Sequence, residues 1–287
     1  MRGGKTLARL TRAAPWLLLL SLAILFGRTM LQPAPEARPA GPQSAGVCEA
    51  PAPGPAGRSE TSTPRGLAIS VVTPTDYRAD QRYGLLVLFP PAGFAPTPAE
   101  RFYDVTAAAT AAGFVVALSA PLPLSAIAVQ RQSEVAAMVA GRWCIDPRRV
   151  VFAGHSDGGS LSQGVLLRHA AETVRPTAII ASGAGIRAED LAREPCPAPL
   201  SVTILHSARD EHFPGYGEGA ARWWARCFSC APLPAHIAAD TCGVASRCAP
   251  GARVEFCAGT ESHARRPARF TERLQAVLDG TGLVPQP

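Results

Sequence analysis

Lysine is almost missing from this chain: of its 28 basic residues only Lys5 is a lysine, and it lies in the first few positions. Chemistry that needs a lysine in the folded part is therefore excluded, whether Schiff-base catalysis or a phosphate loop closed by its lysine. The string Gly3-Gly4-Lys5-Thr6 echoes the end of such a loop, but no strand-like run precedes it. Histidine is scarce as well, with six residues, so a reaction that needs an imidazole base has few candidates. Charged residues make up only 17% of the 287 and aromatic ones 6%, against 47% hydrophobic, which excludes a disordered tail or a charge-laced coiled coil. The folded part also lacks an excess of positive charge. The formal net charge of +6 comes mainly from Arg2, Lys5, Arg9, Arg12, Arg28 and Arg38, opposed before Cys48 by Glu36 alone. The remainder is nearly neutral, so no nucleic-acid partner is expected.

The amino terminus carries a basic start up to Arg12 and then an apolar run from Ala13 to Phe26. That is the length of an export-signal core and shorter than the roughly 20 residues of a spanning helix. A good small-x-small cleavage site is missing, because Gly27-Arg28-Thr29 is poor and Ser44-Ala45-Gly46 lies far downstream. An uncleaved inner-membrane anchor with its basic flank in the cytoplasm is therefore expected ahead of a removed signal peptide. Val47 directly before Cys48 argues against a lipoprotein box. The expected organisation is a signal peptide or anchor over 1–30, a Pro/Ala/Gly-rich linker over 31–65, and one folded domain over 66–287. That domain would be periplasmic or extracellular, touching the membrane only through residues 13–26.

Eight cysteines, an even number in an exported chain, point to disulfides. Zinc is the competing idea, since Cys227 and Cys230 form a CxxC with Cys242 and Cys248 downstream. The wide gap between the second pair is irregular for a zinc site and the compartment is oxidising, so no metal is expected. The pairing of the eight is not readable from their spacing.

Apolar runs rich in β-branched residues recur at Leu67 to Val72, Leu85 to Phe89, Phe114 to Ser119, Val150 to Ala153, Ala178 to Ser182, Leu200 to His206 and Val254 to Cys257. Several lack polar alternation, as strands buried on both faces do. Helices are expected between them, over 98–112, 133–142, 158–171, 218–226 and 267–278. Strand and helix alternating in this way predict an α/β domain with a mainly parallel sheet.

Val150-Val151-Phe152-Ala153-Gly154-His155-Ser156-Asp157-Gly158-Gly159 contains G-x-S-x-G. The bare pentapeptide is a weak signal. Its setting, with a buried-type strand running in and a helix running out, is what a nucleophile elbow requires: a turn so tight that small residues must flank the serine. A serine hydroxyl is a poor nucleophile, so a base and an orienting carboxylate must follow, in the chain order Ser, Asp or Glu, His. Of the six histidines only His263 lies after the last expected strand and before the closing helix. Asp210 lies just past the carboxyl end of the Leu200 to His206 strand, where open α/β sheets gather functional loops; Glu211 is the neighbour with which it could be confused.

These residues resemble the secreted α/β-hydrolase-fold esterases grouped with polyhydroxybutyrate depolymerases and feruloyl esterases. Ile145-Asp146-Pro147-Arg148-Arg149-Val150 looks like that family's lead-in to the elbow, and His206-Ser207 through Asp210 and Pro214 resemble its HGxxDxxVP loop. Trp224 followed by Cys227, and Glu261-Ser262-His263, are similar to its helix ending in cysteine and its histidine loop. The resemblance implies an α/β-hydrolase fold, Ser156 as nucleophile, Asp210 as acid and His263 as base, and neither metal nor organic cofactor; the short stretch between Ala120 and Ser133 leaves little room for a lid. Two departures stand out. The family's His-Gly after the first central strand is replaced by Pro90-Pro91-Ala92-Gly93, so an oxyanion donor there must come from Ala92 or beyond, paired with the N–H of Asp157. Ser207 replaces the glycine before the acid loop. The expected function is an exported serine esterase acting on small-molecule or polymeric esters, polyhydroxyalkanoate, feruloyl or short acyl. The rival is a tethered, catalytically inactive binding module on the same fold; a peptidase would want an extra domain to admit peptides, and none is visible.

Overall fold

In the computed structural model, the described residues are 47–48, 52–171, 173–280 and 282. The apolar run over 13–26 lies outside them, and among the described residues no helix is long and apolar enough to cross a membrane. Nine strands form one sheet: β1 (Arg58–Ser62), β2 (Ala68–Val72), β3 (Tyr83–Phe89), β4 (Phe114–Ser119), β5 (Ile145–His155), β6 (Ala178–Ser182), β7 (Ser201–Arg209), β8 (Cys242–Val244) and β9 (Arg253–Ser262). Their order is β1-β2-β4-β3-β5-β6-β7-β9-β8. β4, β3, β5, β6, β7 and β9 run parallel, while β1, β2 and β8 pair antiparallel at the margins. This is the α/β-hydrolase fold.

Burial on both sides explains the unbroken apolar runs. Side chains alternate across the sheet, so Leu85, Val87 and Phe152 face one way and Leu86, Leu88 and Val151 the other, each set inside its own apolar layer. The first layer is closed by α3 (Ala126–Ala140), α4 (Asp157–His169), α5 (Ala188–Leu191) and α6 (Tyr216–Cys227); the second by α1 (Pro96–Tyr103), α2 (Thr106–Ala111) and α7 (Arg269–Leu278). The single helix expected over 98–112 is two, because Asp104 turns left-handed, with φ 49°, and ends α1.

The domain begins earlier than the expected boundary at Gly66. β1 pairs along β2, Cys48 is bonded to Cys144, and the Trp143 indole N–H donates to Pro55 O at 3.0 Å. A fragment starting at Gly66 would lose the edge strand and a cross-link. Its polar, half-exposed pattern suits an edge strand and gives no apolar signal in a Pro-rich stretch. The remaining cysteines pair as Cys196–Cys227, Cys230–Cys248 and Cys242–Cys257, so the CxxC is split between two bridges, and among the described residues no cysteine is free.

Candidate active site

Every parallel strand points its carboxyl end to one edge of the sheet, and three loops meet there. The first is the turn from β5 into α4. Ser156 sits at φ 57°, ψ −122°, a conformation costly for a residue with a side chain, and its N–H donates to Ser182 O at 2.9 Å. The glycines make the turn possible. A Cβ on Gly154 would overlap the backbone of Gly158, and a Cβ on Gly158 would overlap the Phe89 carbonyl at the end of β3. The N–H groups of Asp157 and Gly158 open the first turn of α4, where a helix supplies no acceptor of its own. Burial pushes the Asp157 carboxyl up.

The second loop follows β7. Asp210 is buried at 4% exposure, and its Oδ1 accepts from the N–H groups of His212 (3.0 Å) and Phe213 (2.9 Å). Burial pushes its carboxyl up, but the bonds from His263 and the Phe213 N–H, with His206 alongside, outweigh it and hold it below the usual carboxylate range. His206, whose ring burial pushes down, donates from Nε2 to Phe213 O at 2.7 Å and so braces the same loop.

The third loop follows β9 and carries His263. Its Nδ1 is 2.8 Å from Asp210 Oδ2 and its Nε2 2.9 Å from Ser156 Oγ. A carboxylate only accepts, so Nδ1 holds the proton, and the Nε2 lone pair faces the serine hydroxyl. Glu211 does not compete for the ring: its Oε2 accepts from the His263 main-chain N–H at 3.2 Å. Glu261, which the sequence reading placed in the histidine loop without a role of its own, braces that loop by accepting from Ala268 N–H (2.8 Å), Thr260 N–H (3.0 Å) and the Ser207 hydroxyl (3.1 Å). That last bond gives Ser207 a use that the family's glycine could not serve.

Pro90 and Pro91 lead into a turn closed by Phe94 N–H on Pro91 O at 3.1 Å, with Gly93 at φ 73°. Ala92 occupies its first central position, where a β-turn makes no internal use of the N–H. The turn follows directly on Phe89, whose carbonyl abuts Gly158.

Asp210, His212 and His263 offer ligand atoms within 4.8 Å of one another. The His212 and His263 rings, however, lie face to face, with centroids 4.5 Å apart and planes at 34°. Their in-plane lone pairs run side by side instead of converging, which fits a stacked pair better than a metal centre.

His155, Tyr103 and Ser182 also belong to this edge. Sequence reasoning placed His155 within the elbow and gave it no role; the other two carry no signal.

No family model matches the chain, and no curated protein does. Among solved structures it is similar to a thermophilic esterase of the planctomycete Thermogutta terrifontis with propionate bound, at 14% identity over 80% of this chain and 97% of that one, TM-score 0.56. It is similar too to an acetyl xylan esterase of Aspergillus awamori, at 11% identity over 78% and 99%, TM-score 0.58. A putative dipeptidyl aminopeptidase IV of Bacteroides ovatus matches at 11% identity over 78% of this chain but 35% of its own length, TM-score 0.55. At such identities the likeness establishes the α/β-hydrolase fold and nothing finer.

Proposed function

We propose that the chain is an exported serine hydrolase of carboxylic esters. The observation that supports it most is the unbroken row from Ser156 Oγ through the His263 ring to the buried Asp210 carboxylate, starting at a strained serine on a strand-to-helix turn. In this scheme Ser156 Oγ attacks the ester carbonyl carbon while its proton passes to His263 Nε2. Asp210 holds Nδ1–H and steadies the imidazolium that forms. The carbonyl oxygen takes up the electron pair and is met by the N–H of Asp157 and that of Ala92. Collapse expels the alcohol, protonated by His263, and a water then repeats the sequence to release the acid. No metal or organic cofactor is needed for any of these steps.

β4 and α3 are joined by 120–125, a segment too short for a lid, so substrates of differing size fit the reading. Short acyl esters come first, in line with the propionate and acetyl groups named for two structural neighbours, ahead of feruloyl and polyhydroxyalkanoate esters. Four disulfides support an oxidising compartment, and we extend this to an uncleaved anchor over 13–26. The proline pair directly after β3, ahead of the Ala92 donor, is the one feature favouring an inactive binding module. A fluorophosphonate probe with a panel of short acyl, feruloyl and polyester substrates decides between them. The full-length protein should be labelled and turn over at least one ester, and Ser156→Ala should do neither; a folded protein inert to both probe and esters would leave the binding module.

A further inference from the structure

The ring of His155 is buried between the elbow and the base loop, and the reaction scheme makes no use of it. We propose that His155 is a positioning residue that holds the His263 loop in register with Ser156, an inference that rests on reading His263 as the base.

Its bonds can each be given a direction. Nε2 lies 2.9 Å from the main-chain oxygen of His263, which can only accept, so Nε2 carries the proton. The neutral ring then has its lone pair on Nδ1, and the Ser182 hydroxyl, 2.7 Å away, must donate to it. The main-chain N–H of His155 donates to the Tyr103 hydroxyl at 2.8 Å, whose own O–H donates to Phe89 O at 2.7 Å. One residue therefore ties the end of β3, the elbow, β6 and the loop after β9. Its ring bond ends on the backbone of His263 itself. The other main-chain bond of His263, to Glu211, is on an exposed side chain, which leaves His155 as the buried side chain bonded to the His263 main chain, while Asp210 holds its ring. Burial, the larger cause, with His263 nearby, holds the His155 ring down to about 4, so at neutral pH it adds no charge beside the imidazolium formed on His263, whose ring centroid is 5.3 Å away.

The experiment compares full-length wild type with His155→Ala, His155→Gln, Ser182→Ala and Ser156→Ala, by kcat, KM and the rate of fluorophosphonate labelling. Because a misplacement of about 1 Å can cost on the order of 100-fold, His155→Ala should lose about that in kcat and in labelling, with KM within about twofold. His155→Gln, whose amide can donate to the same carbonyl, should recover to within roughly tenfold of wild type. Ser182→Ala keeps the ring but frees its tautomer, should cost about tenfold in kcat, and decides the matter if His155→Ala does not fold. Inactive Ser156→Ala beside full kcat in His155→Ala, or in Ser182→Ala where that variant stands in, would overturn the positioning role alone. Equal losses in the Ala and Gln variants would overturn it too, since packing and not the donated bond would then matter. Hydrolysis surviving in Ser156→Ala would overturn the esterase reading and this proposal with it.

Discussion

Ser156 and its two partners come from regions held together by different means. The serine stands at the centre of the sheet, where β3, β4 and most of β5 are buried and glycines let α4 press against Phe89. The only disulfide touching that region is at Cys144, before β5 begins. Asp210 and His263 follow β7 and β9, beside a stretch over 228–252 in which the three residues of β8 are the only regular element among the described residues. The other three disulfides all fall between Cys196 and Cys257. A strand that buries both faces is fixed by packing; a segment that runs as loop has too little core, and covalent links limit its unfolded freedom instead.

The largest expected effect asks whether the two regions work as one unit in chemistry. Ser156→Ala and His263→Ala should each lower ester hydrolysis on the order of 10⁶-fold, and Asp210→Asn about 10⁴-fold. The Ser156→Ala/His263→Ala double variant should be no slower than either single one, and melting temperatures should move little. Multiplying losses would mean that the regions contribute separately.

Reduction should attack the second region first. Denatured, unreduced protein should contain no free thiol among the eight cysteines. In the loop-closure account, a separation of 15 residues, as for Cys242–Cys257, is worth about 3 kcal/mol. Replacing both cysteines by serine should lower urea-derived stability by about that much. Hydrogen exchange should then quicken over 196–257 while β3 to β5 stay protected. Protection lost evenly across the sheet would erase the contrast.

Acid should do to the packed region what reductant does to the other. Burial first, and the nearby His263 after it, hold His155 down to about 4 against an ordinary value of 6.5. The unfolded chain therefore binds a proton that the folded chain refuses, and stability falls as pH drops from about 6.5 to about 4, by roughly 3 kcal/mol. Asp210, whose carboxyl is held low, adds a further loss in the same direction below the ordinary carboxylate range. His155→Gln should flatten the first part of this slope in urea titrations at successive pH values. An unchanged slope would show that the ring is not the group being protonated.

The smallest effect concerns the seam between the β3 end and the elbow. Tyr103→Phe removes two buried hydrogen bonds and should cost about 1 to 3 kcal/mol. Stability measured by denaturant should register it, with Asp210→Asn as the comparison in the looped region.

Legibility divides along the same line. Phe114 to Ser119 and Ala178 to Ser182 could be read to the residue, because a doubly buried strand writes an unbroken apolar run. The elbow was readable from its pentapeptide once strand and helix flanked it; chain order and strand position pointed to His263 and to Asp210, with Glu211 left beside it, and only the structure puts Asp210 on the His263 ring. β1 and β8 could not be read: the first is polar and the second three residues long, and both owe their conformation to a neighbour's backbone. The disulfide pairing was hidden for the same reason, since Cys242 meets Cys257 through strand register and not through spacing. Tyr103 and Ser182 reach the site from separate elements, and no local pattern could have joined them to it.

The bridge between Cys48 and Cys144 has a mechanical consequence. Cys144 precedes β5, whose eleven residues separate it from Ser156 at the other end of the strand. A pull arriving along the chain at Val47 would meet this covalent stop, and the stitching of Gly54 and Pro55 to Arg142 and Trp143, before it reached the sheet. The strain would be borne at the trailing rim of the sheet, the length of β5 away from the rim that carries the serine.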